Sequence, residues 1–89
     1  MQVAERDLVV MLDQGLHARP AARFVETAAR FQSEITVIAG SRSASAKSIL
    51  GVLSLGVRKG TVIRIRAEGD DAGAAVEALS QLVSQTHLD

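Results

Sequence analysis

Residues 61–83, TVIRIRAEGDDAGAAVEALSQLV, change hydrophobic period part-way along, and that change sets the fold class. From Thr61 to Ala67 the apolar positions Ile63, Ile65 and Ala67 alternate with Arg64 and Arg66, the period-two pattern of a half-buried strand. After Asp70 and Asp71, which offer a helix N-cap, Ala72, Ala75, Val76, Leu79, Leu82 and Val83 recur at helical spacing. A strand with one apolar face, followed at once by a helix with one apolar stripe, asks for two layers rather than a bundle or a closed barrel.

Working back from this stretch gives the remaining elements. Leu8–Leu12 is a continuous apolar run and reads as a short buried strand. Gly15 marks a turn, and Pro20 must lie in the first turn of whatever helix follows, because proline has no amide hydrogen to donate. That helix starts at about His17 or Ala18, buries Ala21, Phe24, Val25, Ala28 and Phe31, and turns Arg23, Glu26 and Arg30 to water. Residues 34–39, EITVIA, read as a strand, Gly40-Ser41 as a type II′ hairpin turn, and residues 42–46 as the returning strand with Ala44 and Ala46 inward. Residues 47–55, KSILGVLSL, read as a two-turn buried helix with Ser45 or Ser48 near its start. The order is β-α-β-β-α-β-α, an α+β chain whose helices share one face of an antiparallel sheet.

The bulk properties narrow the function classes. The 89 residues suit a single domain spanning 1–89. Hydrophobic residues make up 47 %, with two Phe as the only aromatics, so the core is aliphatic. There is no cysteine, which removes disulfides and thiolate metal sites and fits a reducing compartment. Ten basic and ten acidic residues give zero net charge, unlike a general nucleic-acid binder. No apolar run approaches membrane-spanning length, and the N-terminus MQVAERDL lacks the features of a secretory signal, so the expected location is cytoplasmic.

Several chemical motifs fail on inspection. Gly51 to Gly56 has the glycine spacing of a phosphate-binding loop, but Val57-Arg58 stands where Lys-Ser/Thr would follow. Two histidines and no cysteines make no metal-ligand cluster. Asp70-Asp71 reads as a helix cap, Arg64 and Arg66 as a solvated strand face, and His87 as part of a polar tail. What remains is His17 in Gly15-Leu16-His17-Ala18-Arg19-Pro20-Ala21. A helix N-terminus presents unpaired amide hydrogens to an anion, and the Arg19 guanidinium, in the same turn, suits phosphate oxygens. On these residues alone the site is an anion site with a possible nucleophile.

The stretch Gly15-Leu16-His17-Ala18-Arg19-Pro20-Ala21-Ala22 resembles the active-site signature of the HPr family, the histidine-containing phosphocarriers of the phosphoenolpyruvate-dependent sugar phosphotransferase system. Ser45 to Gly56, SAKSILGVLSLG, resembles the same family's regulatory-serine region, at the family's separation. The resemblance implies an open-faced β-sandwich, with a four-stranded antiparallel sheet covered on one face by three helices. It implies that His17 accepts a phosphoryl group on Nδ1 from enzyme I and passes it to the IIA domain of a sugar permease. Arg19 would stabilise the charge in transfer. Ser48 matches the serine modified by HPr kinase/phosphorylase, whose product a transcriptional regulator can read, and Ile49, Leu50 and Leu53 match a partner-binding patch. The same resemblance implies a monomer with no cofactor or metal, no nucleic-acid partner and no membrane insertion, acting as a carrier rather than an independent catalyst. Gln14 departs from the family's short Asn, Ser or Thr before the glycine, and being longer it is less suited to ordering the loop. A regulatory or nitrogen-branch paralogue is the alternative within the family. An anion- or RNA-binding module using Arg19, Arg64 and Arg66 is the alternative outside it, and the lack of Tyr and Trp counts against it.

Overall fold

The apolar face anticipated for residues 61–67 lies at the centre of the sheet. The computed structural model describes residues 1–86, so His87 and the tail around it lie outside the described residues. The elements are β1 (Gln2–Val9), α1 (Ala18–Ala29), β2 (Glu34–Ala39), β3 (Arg42–Ser45), α2 (Ile49–Ser54), β4 (Val62–Gly69) and α3 (Ala72–Val83). The strands form one antiparallel sheet in the order β1-β4-β2-β3, which is the open-faced sandwich expected. Ile63, Ile65 and Ala67 of β4, with Ile35 and Val37 of β2, are buried beneath the helices. Phe24 of α1, Leu79 of α3, and Val10, Leu12, Leu16 and Val57 from the connecting segments complete the core. At the hairpin, Ala39 pairs with Arg42 and Gly40 has φ +63° while Ser41 stays at negative φ, the signs a type II′ turn uses.

Three local readings change. The first strand is not Leu8–Leu12 but Gln2–Val9, and Val10 and Leu12 reach the core from the loop that follows it. The alternation in β1 is masked because Arg6 shares the helix-facing side with Ala4 and Leu8. Its guanidinium meets Glu77 of α3 at 2.9 Å, and holds the Glu77 carboxyl below the usual carboxylate range. The second helix is short and mostly uncovered. Val52 alone is buried within it, with Leu55 buried just beyond, and Leu50 is 78 % exposed.

Asp71 occupies the N-cap position of α3 but does not cap it with its side chain. Its carboxylate instead accepts from the amides of Gln32 and Ser33 at 2.9 and 3.0 Å and from the Ser33 hydroxyl. The corner between α1 and β2 is thereby tied to the start of α3. Chiefly the Ser33 hydroxyl, then the Gln32 amide, hold the Asp71 carboxyl below its ordinary range.

The bare face of the sheet is charged, and both of its arginines are held by carboxylates, which outnumber them. Asp7 lies opposite Arg64 and Glu5 opposite Arg66 in the β1–β4 register. The ion pairs close at 2.7 Å for Arg64–Asp7, 3.0 Å for Arg66–Glu5 and 2.6 Å for Arg66–Glu68. The hydrogen bond from Arg64 draws the Asp7 carboxyl below its usual range. Both arginines lie on the exposed face, as expected, and each is held by carboxylates there.

Candidate functional site

The loop from Val10 to Leu16 is stitched to the turn that precedes β4. Val10 N donates to Thr61 O at 2.9 Å, Gly60 N to Val10 O at 2.8 Å, and Leu16 N to Val57 O at 3.0 Å. The end of α3 holds the other side, through Met11 N to Val83 O at 2.9 Å and Asp13 N to Thr86 O at 2.7 Å. Lys59 Nζ adds an ion pair to Asp13 at 3.1 Å. The loop's own turn closes by Gly15 N to Leu12 O at 2.9 Å. Gln14 is exposed, and the ordering it would supply less well than Asn comes from these backbone bonds and from Asp13.

Gly15 is required here for two reasons. Its φ is +64°, and a methyl group on it would lie 2.3 Å from Val57 O and 2.7 Å from Arg58 Cα. The close approach lets Leu16 bury completely while the next residue turns outward. His17, Ala18 and Arg19 are all exposed, between buried Leu16 and buried Pro20.

His17 is the N-cap of α1, with extended backbone at φ −128° and ψ 162°. Its side chain makes no capping hydrogen bond, so the imidazole is not spent on its own helix. Ala18 then takes φ +50°, the one non-glycine residue at positive φ among those described. A left-handed alanine costs about 1–2 kcal/mol, and such strain persists where the surrounding structure fixes it. Here Leu16 and Pro20 are its buried anchors. Pro20 sits third in the helix, where its missing amide hydrogen costs nothing. The side chains of His17 and Arg19 have no hydrogen-bond or ion-pair partner among the described residues. An exposed ring nitrogen, an uncommitted guanidinium and the free amides of a helix start together can receive a phosphate-sized anion and form a bond to it.

Ser48 lies at the second location singled out by the sequence. It is the N-cap of α2, and its exposed hydroxyl accepts from Gly51 N at 3.0 Å. Ile49 is 40 % exposed and Leu50 78 % exposed, so these two form apolar surface and not core, while Leu53 is partly buried against the core. Helices α1 and α2 pack together, and Val57, just after α2, is the residue that receives the Leu16 amide. Among the described residues no group of carboxylates and imidazoles could hold a metal ion, and no helix is long and apolar enough to cross a membrane.

Residues 4–85 match the family described as the PTS HPr component phosphorylation site. The phosphocarrier protein HPr of Vibrio cholerae is 47 % identical over 83 residues, covering 93 % of this chain and 98 % of that protein. The crystal structure of the phosphocarrier protein HPr from Bacillus anthracis superposes with a TM-score of 0.89 at 42 % identity, covering 91 % of this chain and 96 % of that one. The catabolite repression protein Crh of Bacillus subtilis, solved as a domain-swapped dimer, gives a TM-score of 0.75 at 40 % identity, covering 92 % and 94 %.

Proposed function

The chain belongs to the HPr family of phosphotransferase-system phosphocarriers, and from that premise we propose that His17 carries the phosphoryl group between enzyme I and the IIA domains of sugar permeases. The observation that carries the reading is the exposed, uncommitted His17 ring at the start of α1, on a loop locked by Gly15. The Nδ1 lone pair of His17 attacks phosphorus on phospho-enzyme I. The N–P bond forms as the bond to the donor breaks, and the donor leaves with the electron pair. The same bond is then broken by the IIA nucleophile, with His17 as the leaving group. Arg19, in the same turn, offsets charge on the phosphoryl oxygens in both steps. The carrier is the phosphoryl acceptor in one partner's reaction and the donor in the other's, so it is a transfer partner and not an independent enzyme, and the exchange requires no cofactor on this chain.

Ser48 is the regulatory position of this reading, a target for HPr kinase/phosphorylase whose product a transcriptional regulator reads. A phosphate there adds charge beside Ile49, Leu50 and Leu53, the patch assigned to docking. Alternating use of one surface by two partners calls for small, transient complexes and a monomeric, cytoplasmic carrier. The likeness to Crh, a catabolite repression protein, favours a second reading, a regulatory or nitrogen-branch paralogue in which His17 has the same chemistry but serves different partners. Incubation with phosphoenolpyruvate and enzyme I tests the first reading. The expected result is a gain of one phosphate on the wild type, acid-labile and alkali-stable, and none on His17→Ala. A wild type that stays unmodified beside a competent enzyme I of the sugar branch favours the second.

A further inference from the structure

The cations of this chain divide into those with a task and those without. Arg6, Lys59, Arg64 and Arg66 are in ion pairs. Arg42 is bound to Ser54 O and Lys47 to Phe31 O, and Arg23 is also engaged. Among the described residues this leaves the side chains of Arg19, Arg30 and Arg58 uncommitted. Arg30 caps the far end of α1, about 18 Å of helix from its start. Arg19 and Arg58 are both at the His17 end.

The position of Arg58 is fixed by its backbone. Arg58 N donates to Thr61 Oγ1 and Thr61 N to Arg58 O, each at 3.0 Å, so residues 58–61 are a closed turn. That turn is pressed against the His17 loop, since a methyl on Gly15 would stand 2.7 Å from Arg58 Cα. The two α-carbons are therefore within about 4 Å, and His17 lies two residues on from Gly15, at most about 7.6 Å along the chain. An extended arginine side chain covers a comparable distance. Its neighbour Lys59 is already held by Asp13, which anchors the loop and leaves Arg58 the cation of this turn with no partner.

We infer that Arg58 is a second phosphoryl-binding guanidinium, which joins Arg19 on the oxygens of the phosphoryl group held by His17. A phosphoryl group brings between one and two negative charges, spread over three oxygens during transfer, and one arginine leaves part of that charge unmatched. A second planar donor pair serves the remaining oxygens. This inference rests on the carrier reading of His17 and adds a residue to it.

The test uses the full chain with phosphoenolpyruvate and enzyme I, comparing wild type, Arg58→Ala, Arg58→Lys and, as the control, Arg30→Ala. Three quantities are read: kcat and KM for phosphorylation, the hydrolysis half-life of the phosphohistidine, and its ³¹P chemical shift. Loss of one charge-assisted contact to the transferring group predicts about a tenfold lower kcat in Arg58→Ala with little change in KM. It also predicts an altered half-life and ³¹P shift, with partial recovery in Arg58→Lys and wild-type values in Arg30→Ala. Unchanged kcat, half-life and shift overturn the inference, and so does a rise in KM alone, which would make Arg58 a docking cation. Failure of the carrier reading appears separately, as a wild type that takes no phosphate, and overturns both.

Discussion

Asp71 reaches back 38 residues along the chain to Ser33 and accepts hydrogen bonds from both its amide and its hydroxyl. The Gln32 amide supplies a third bond to the same carboxylate. The interaction joins the end of the first βα unit to the start of the last helix. Because these donors favour the ionised form, the folded-state pKa lies below that of the unfolded chain. The stabilisation is therefore complete above the unfolded carboxylate's pKa, about 3.9, and is lost as pH falls through the lower folded value. Asp71→Asn is expected to lower Tm by several degrees (about 4–8 °C) at neutral pH. The difference from wild type should begin to shrink as pH falls below about 4, where the unfolded chain's carboxyl takes up a proton, and vanish below the lower folded value. Thermal melts from pH 7 to pH 3 check this, and a gap that stays constant across that range contradicts it.

Gly15 and Gly40 have nearly the same φ, +64° and +63°, in very different surroundings. Nothing lies within 4 Å of a methyl group added at Gly40, so Gly40→Ala carries only the left-handed conformational cost of about 1–2 kcal/mol. Gly15→Ala adds a clash with the Val57 and Arg58 backbone, which cannot move aside as a flexible side chain would, for a total of about 2–5 kcal/mol. Denaturant unfolding of the two variants should separate them. Gly15→Ala alone should also slow phosphorylation at His17, because the loop it displaces is the one that presents the ring.

Leu50 and Val52 are two residues apart on α2 and differ completely in burial. Leu50→Ala is expected to change stability by less than about 0.5 kcal/mol, while Val52→Ala costs about 2 kcal/mol. If Leu50 belongs to the docking surface, its removal raises KM for enzyme I at unchanged stability. Equal losses of stability in the two variants would put Leu50 in the core.

Ser48→Ala removes the one side-chain cap of α2 and should cost about 1 kcal/mol. Ser48→Asp retains an acceptor for Gly51 N and should recover most of that loss. Chemical unfolding of the pair isolates the cap from any regulatory effect of charge. Weaker binding to enzyme I in Ser48→Asp than in Ser48→Ala is the expected sign of the second effect.

The His17 region was readable in the sequence because its determinants are local. A glycine before the histidine and a proline three residues after it fix where the helix starts, whatever the rest of the chain does. The alternation of β4 and the stripe of α3 were legible for the same reason. The burial of α2 was not, because Ser54 is the one polar side chain in ILGVLS, too little to mark the side left uncovered. The first strand was misplaced because Arg6 occupies a helix-facing position, made acceptable by Glu77 on an element more than 65 residues later. Asp71 read as a cap because a carboxylate before a helix usually is one. Its partners are set by tertiary folding, which spacing does not encode. No local sequence signal marks Arg58 as a site residue, because its interest lies in a backbone contact with Gly15 that only the packing of the two loops creates.

The paired arginines on the bare sheet face bear on how this carrier meets other molecules. Arg64 and Arg66 are cancelled at short range by Asp7, Glu5 and Glu68, so that face projects no positive field into solution. What remains is arranged lengthwise. Arg19 and Arg58 lie near the end of the strands where Val9 meets Val62, whereas Glu34, Asp70 and Asp71 gather at the opposite end, with Arg30, Lys47 and the N-terminal amine beside them. A chain of zero net charge thus has a direction. In the field of an acidic partner it turns before contact, so a larger share of collisions begins with the His17 end leading, and this advantage fades as salt shortens the reach of the field.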